Sequence, residues 1–218
     1  IGMTCGTTGL KTLYFKSIEG ISISLAALLL FTFPIFVNVG AYFFLKEKMN
    51  IRQLLSLVLA TSGIAILVWG PLFVNSFSAV VFALLAAISY AVYVLVSGHY
   101  QQGVPPLSSS LYVITSAAVA LFVFHQPSAG RLLQFSSEEY LIFLGLATIC
   151  TVAPLTLFLA GLQRLSSSKA SLDVMIEPVV AAIAAWALLD EKLSLVQSAG
   201  AILVLFSLFL NATSAKKI

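Results

Sequence analysis

Residues 45–53 read L-K-E-K-M-N-I-R-Q, and residues 189–197 read L-D-E-K-L-S-L-V-Q. The offset of 144 positions between them also lays Pro34 on Pro178 without a gap. Ser24, Ala26, Leu28, Ala41, Leu45, Glu47, Lys48, Gln53 and Leu59 all meet identical residues at that offset, and Tyr42 meets Trp186. Composition alone would give two Leu/Ala-rich segments some of these identities. A proline, an E-K pair and a glutamine held in one register point instead to an internal repeat.

The repeat sits in an oily chain. Hydrophobic residues make up 60% of the sequence and charged residues 9%, with a mean hydropathy of +1.07. A soluble domain carries roughly 25% charged residues, so this chain has too few to cover a water-facing surface. Between the charges lie apolar runs of about 17–25 residues, the length that crosses a bilayer as helix. Backbone groups in hydrocarbon must pair internally, which leaves helices or closed barrels. Barrel strands alternate polar and apolar residues over about ten positions, and I-S-I-S-L-A-A-L-L-L-F (21–31) sustains no such alternation. The expected fold is therefore an all-α, polytopic membrane bundle. Charges and turn residues predict eight spans, at about 3–18, 21–45, 52–70, 77–97, 107–125, 140–162, 168–189 and 194–211. Connections such as H-Q-P-S-A-G-R (125–131) are short, leaving no room for a soluble domain.

Combined with these spans, the repeat predicts a topology. The second unit (77–211) holds five spans and the first (1–70) shows three. An odd number of spans between equivalent points turns the two copies opposite ways, as in the inverted repeats of secondary transporters. By this count two further helices, about 67 residues, precede Ile1 in a ten-span 5+5 protein. Reading the source DNA upstream of Ile1 for two hydrophobic spans tests that count. The alternative is an inactive truncated fragment of such a protein.

Orientation follows the bias of Lys and Arg in short loops. If the 46–52 loop is cytoplasmic, that side holds Lys46, Lys48, Arg52, Arg164, Lys169, Lys216 and Lys217. The other side holds Lys16, Arg131 and Lys192. The bias predicts a multi-pass protein of the cell membrane, the inner membrane in a bacterium, with a cytoplasmic C-terminus.

Within the spans, M-I-E-P-V-V (175–180) holds the residue best suited to chemistry. Glu177 lies about 13 Å into its helix at 1.5 Å per residue. A carboxylate at that depth is costly and marks a pathway or a structural pair. Pro178 and Pro34 each remove a helix donor, and paired helix breaks in two repeats point to a transporter's site. Glu177 itself has no twin, because its counterpart is Phe33. Lys169 and Asp173 are spaced i,i+4 for a pair at the cytoplasmic mouth. Lys11, about 12 Å below the outer end of its helix, either snorkels outward as Lys16 can or faces Glu177 across a cavity. A facing pair would suit a zwitterionic, amino-acid-like solute. Asn38, Tyr14, Tyr90, Tyr93 and Thr151 are further candidate lining residues, with Pro154 interrupting its span beside Thr151. Cys5 and Cys150 lie apart within apolar spans and read as structural. His99 and His125 sit at span ends. The E-K turns read as membrane-edge fold signatures.

The two halves together, L-Y-F-K-S-I-E-G-I-S-I-S-L-A-A-L-L-L-F-T-F-P-I-F-V (13–37) with F-L-K-E-K (44–48), and S-S-S-K-A-S-L-D-V-M-I-E-P-V-V (166–180) with L-L-D-E-K-L-S-L-V-Q-S-A-G-A-I-L-V (188–204), resemble an EamA-type member of the drug/metabolite transporter superfamily. Each half shows a short polar link, a proline-containing span, an E-K turn and a final span, with Ser56 standing where the second half has Gly200. The resemblance implies ten helices, cytoplasmic termini and alternating-access transport of small organic metabolites. Proton coupling would run through Glu177. No metal, cofactor or nucleic-acid signature is visible, and no H-E-x-x-H or G-x-S-x-G motif supports an enzyme.

Overall fold

The computed structural model describes residues 2–69, 73–125, 135–189 and 193–214, with the side chains of 2–7, 124, 125 and 189 left aside. Arg131, the Asp190–Lys192 turn, Lys216, Lys217 and the side chains of Cys5 and His125 therefore lie outside the described residues. The described chain is helical at every expected span: α1 Gly2–Ile18, α2 Ile23–Leu30, α3 Phe33–Phe44, α4 Ile51–Leu67, α5 Phe77–Tyr100, α6 Pro106–His125, α7 Ser137–Ala147, α8 Ala153–Leu162, α9 Ser167–Asp173, α10 Glu177–Leu189 and α11 Leu195–Thr213. Its β structure among the described residues is one isolated bridge, Ile21 with Val74.

Six helical stretches are long and apolar enough to cross a membrane: Ile23–Phe44, Phe77–Tyr100, Pro106–Val123, Ser137–Leu162, Ser167–Leu188 and Leu195–Thr213. Helices α1 and α4 have 17 residues each, shorter than the roughly 20 residues of an untilted span. Large apolar side chains such as Phe43, Phe44, Leu188, Leu195 and Phe209 project outward. Water would not tolerate so broad an apolar surface; lipid does.

Three of the long stretches are interrupted, each at a proline. Between α2 and α3 the break falls at Phe31–Thr32, just before Pro34. Between α9 and α10 it is a tight 3₁₀ turn, Val174–Ile176, just before Pro178. These two breaks are related by the same 144-residue offset. Pro178 cannot donate to the Val174 carbonyl, and the Glu177 N–H takes that acceptor instead. Before Pro154 the helix widens into a π turn, Thr148–Val152, whose Ala153 N–H reaches back to Thr148. A missing donor shifts the bonding register by one residue in either direction.

The glutamine shared by the repeat has a physical role in each copy. Gln53 Oε1 accepts the Asn50 N–H at 2.9 Å, and Gln197 Oε1 accepts the Ser194 N–H at 3.0 Å. Each side chain reaches back to start the final helix of its half.

Helices α4 and α11 cross in close contact. Ser56 Oγ donates to the Ser207 carbonyl at 2.7 Å. Gly63 and Gly200 meet backbone to backbone, an added Cβ on Gly200 falling 2.7 Å from the Gly63 oxygen. The repeat offset carries Ser56 onto Gly200 and Gly63 onto Ser207, so these are one contact made twice. Small residues at such a crossing let helices approach within van der Waals reach in a membrane.

Candidate functional site

The E-K turn does more than mark a membrane edge. Lys46 adopts φ 55° just past the end of α3, and the Glu47 N–H closes the helix by donating to the Ala41 carbonyl at 3.0 Å. That reversal aims the half-buried Glu47 carboxylate at the start of α9, 120 residues on. It accepts the Ser167 and Ser168 N–H groups at 3.1 Å each and the Ser168 hydroxyl at 2.8 Å. Ser166 Oγ takes the third free donor, the Lys169 N–H, at 3.3 Å. A helix start leaves such donors open and favours negative charge. Glu47 thereby ties the first half of the chain to the second at one end of the bundle. Glu47→Ala should destabilise the protein by about 1–3 kcal/mol, the range for a lost charged cap. A thermal melt of the detergent-solubilised protein checks this, with Glu47→Gln falling between the two.

Below that clasp, α9 leads to Asp173. Its partner is a residue that sequence reading does not single out: Asn211 Nδ2 on α11 donates to Asp173 Oδ1 at 2.7 Å and to the Lys169 carbonyl at 3.2 Å. Lys169, one turn earlier on the same helix, makes no ion pair with Asp173 among the described residues.

Glu177 comes next, as the first residue of α10, and its side chain is exposed on the protein's own surface. Its charge reaches Tyr14 of α1 and Tyr90 of α5, both half-buried. Tyr90 stacks on the wholly buried Phe33 with ring centroids 4.2 Å apart. The column continues from Tyr90 to Tyr93 at 6.2 Å and from Tyr93 to Phe158 at 6.1 Å. Phe33 is the repeat counterpart of Glu177, so the two equivalent positions approach one tyrosine. No hydrogen bond or ion pair holds Glu177 among the described residues.

The other sequence candidates are placed around this centre. Asn38 is buried, as its polarity suggests; its amide donates to the Pro34 carbonyl at 2.7 Å while its oxygen has no partner among the described residues. Tyr93 is buried, and its hydroxyl has no hydrogen-bond partner among the described residues. Lys11 is exposed and makes no ion pair with Glu177 among the described residues. Lys16 lies over the Phe82 ring at 5.9 Å, a cation–π contact. Thr151 stays within its own helix, its hydroxyl donating to the Leu146 carbonyl at 3.1 Å. Cys150 is free and exposed. No group of three or more metal-ligating residues occurs among the described residues.

A multi-pass helical membrane protein with paired helix breaks, one of them beside a carboxylate at membrane depth, has the character of a solute transporter. A family model described as the EamA-like transporter family matches residues 1–69 and 77–213. The chain belongs to that family. It is 25% identical over 194 residues to the uncharacterized transporter YcbK of Bacillus subtilis (strain 168), covering 85% of this chain and 62% of the relative. It is 28% identical over 194 residues to YoaV of the same organism, likewise an uncharacterized transporter, covering 85% of this chain and 65% of the relative. An uncharacterized transporter of Archaeoglobus fulgidus is 24% identical over 192 residues, with 88% of this chain and 68% of the relative covered. The chain thus spans less than two thirds of the length of the two Bacillus relatives. A crystal structure aligns with a TM-score of 0.81 over 99% of this chain and 77% of its own, at 16% identity. That likeness speaks for the fold alone.

Proposed function

We propose that this chain forms most of a secondary transporter that moves a small organic solute by alternating access, with proton exchange at Glu177. The observation that carries the reading is the position of Glu177. It is a carboxylate at the break of one long apolar helix, without a hydrogen-bond or ion-pair partner among the described residues, and its repeat counterpart Phe33 stacks on Tyr90. Ionisable groups at membrane depth that lack a structural partner belong to solute or proton pathways. In this reading the solute and the proton compete for the carboxylate, which couples their movements.

The reading extends to architecture. Eight spans of this chain would belong to a ten-span, 5+5 inverted repeat, with 1–70 a partial and 77–211 a complete unit. Two matched segments of one family model, the equivalent helix breaks and the twice-made α4–α11 contact all support it. The 137–162 stretch has no buried residue in its most apolar window, and two helices N-terminal to Ile1 would cover part of it. The cation bias supports a cytoplasmic C-terminus in a bacterial inner membrane.

Reconstituted full-length protein, given a pH gradient and a panel of radiolabelled metabolites, tests the function. Gradient-driven flux of at least one solute supports it; downhill leak of every solute, indifferent to pH, contradicts it. Tyr90→Leu should lower solute affinity about tenfold or more, about 1.4 kcal/mol, by removing the aromatic wall. Tyr90→Phe should keep most of it.

A further inference from the structure

We infer that the end of the bundle tied by Glu47 is a docking surface for anionic phospholipid headgroups. In K-E-K (46–48) two cations flank one anion, and the fold separates them. The reversal at Lys46, φ 55°, sends the Glu47 carboxylate to the Ser167 and Ser168 N–H groups at 3.1 Å each. Lys46 and Lys48 stay exposed. The same clasp brings two more cations alongside: Arg164, exposed three residues before Ser167, and Lys169, half-buried directly after Ser168. Arg52, exposed at the start of α4, donates to the Thr213 carbonyl at the end of α11 at 3.5 Å. Two residues before Thr213, Asn211 holds the Lys169 carbonyl at 3.2 Å. These contacts gather Lys46, Lys48, Arg52, Arg164 and Lys169 at one end, and none of them forms an ion pair among the described residues. The acids nearby are already engaged, Glu47 by the α9 start and Asp173 by Asn211 at 2.7 Å.

The surface bordering these charges is apolar. Phe43 and Phe44, just before the reversal, are 70% and 82% exposed, and Ile51, Leu54 and Leu55 are exposed on α4. A free anion would use only the charges. A phospholipid uses both, with its phosphate among the cations and its acyl chains against the apolar side chains. Clusters of about four to eight Lys and Arg at a bilayer edge attract anionic headgroups, and their long stems lie along apolar surface while the charge reaches outward. The clasp pins the 46–48 turn to α9, so a headgroup meets cations already gathered, which lowers the ordering cost of binding.

Electron paramagnetic resonance on the reconstituted full-length protein tests this, with spin-labelled phosphatidylglycerol or phosphatidylcholine as the probe. The immobilised fraction of each lipid gives their relative association. At low salt phosphatidylglycerol should associate with wild type roughly fivefold more strongly or better. The ratio should fall toward one at 1 M salt, where screening cuts the reach of charge to about 3 Å. Lys46→Asn combined with Lys48→Gln and Arg52→Gln should remove most of the preference; asparagine suits the backbone at position 46. Lys46→Arg with Lys48→Arg keeps the charge and should keep the preference. Lys16→Gln should keep it too, because Lys16 sits over Phe82, about 24 Å along α5 from the Gly98 that abuts Ser167. Size-exclusion profiles verify that the variants are folded, and the wild-type salt series needs no variant. Equal association of the two lipids with wild type at low salt overturns the inference, as does a preference that survives loss of the three cations. Displacement of phosphatidylglycerol by inorganic phosphate at constant ionic strength would mark a site for free anions and overturns it as well.

Discussion

Glu177→Gln in the full-length protein is expected to lower proton-driven solute flux at least tenfold, about 1.4 kcal/mol, while leaving the fold intact. The amide keeps the shape of the carboxylate but can neither release a proton nor carry its charge. The side chain is exposed on the protein's own surface and has no described hydrogen-bond partner, so no buried group is orphaned by the exchange. Substitutions of that kind usually stay within about 0.5 kcal/mol. The stability cost should therefore be small and the functional cost large. Flux into proteoliposomes under an imposed pH gradient measures the second, and a thermal melt of the same preparation measures the first. Unchanged gradient-driven flux would remove Glu177 from the coupling step.

The second large effect lies where the two halves cross. An added Cβ on Gly200 falls 2.5 Å from the Leu67 nitrogen, 2.7 Å from the Gly63 oxygen and 3.0 Å from the Ile66 carbonyl carbon. All three are backbone atoms of α4, and backbone within a helix cannot step aside. On the other side, a Cβ on Gly63 falls 2.9 Å from the Gly200 oxygen. Gly200→Val would force α4 and α11 apart and strain the Ser56–Ser207 hydrogen bond along the same seam. The expected loss reaches or passes the upper end of the roughly 1–3 kcal/mol typical of overpacking. It should appear as little or no monodisperse protein after extraction. Gly145 provides the contrast, since a Cβ there meets nothing within 4 Å. Gly145→Ala, in the interior of α7, should be neutral or stabilise by about 0.5–1 kcal/mol.

Much of the fold was readable in advance because bilayer physics leaves few choices. Long apolar runs had to be helices, and the charges between them marked the ends. Pro34 and Pro178 announced helix breaks because a missing N–H acts locally. The kind of break was less accessible, since 3₁₀, π or an outright gap depends on which carbonyl the neighbouring donor finds. Partners distant in sequence were not readable. Glu47 reads as part of a turn, and only the folded chain brings it to Ser167 and Ser168. Lys169 and Asp173 have the spacing of a helical pair, but Asn211 on the neighbouring helix reaches the carboxylate at 2.7 Å. At the candidate site, sequence nominated Glu177, Tyr14 and Tyr90 separately, from depth and residue type. What it lacked was the pairing of Phe33 with Tyr90, which turns the repeat counterpart of Glu177 into part of the same wall. Lys11 was nominated by depth and Thr151 by its place beside Pro154; Lys11 is exposed and Thr151 bonds within its own helix, since depth along a helix says nothing about the direction a side chain faces.

The central claim is that Glu177 lies on a water-filled solute pathway opened in turn to each side of the membrane. A single cysteine at that position tests it most directly. Glu177→Cys is made with Cys5 and Cys150 replaced by serine, and the reconstituted protein is exposed to a membrane-impermeant thiol reagent from either face. Alternating access predicts labelling from both faces, slowed from both by a saturating transported solute. Labelling from neither face, or only by a reagent that partitions into lipid, would contradict it.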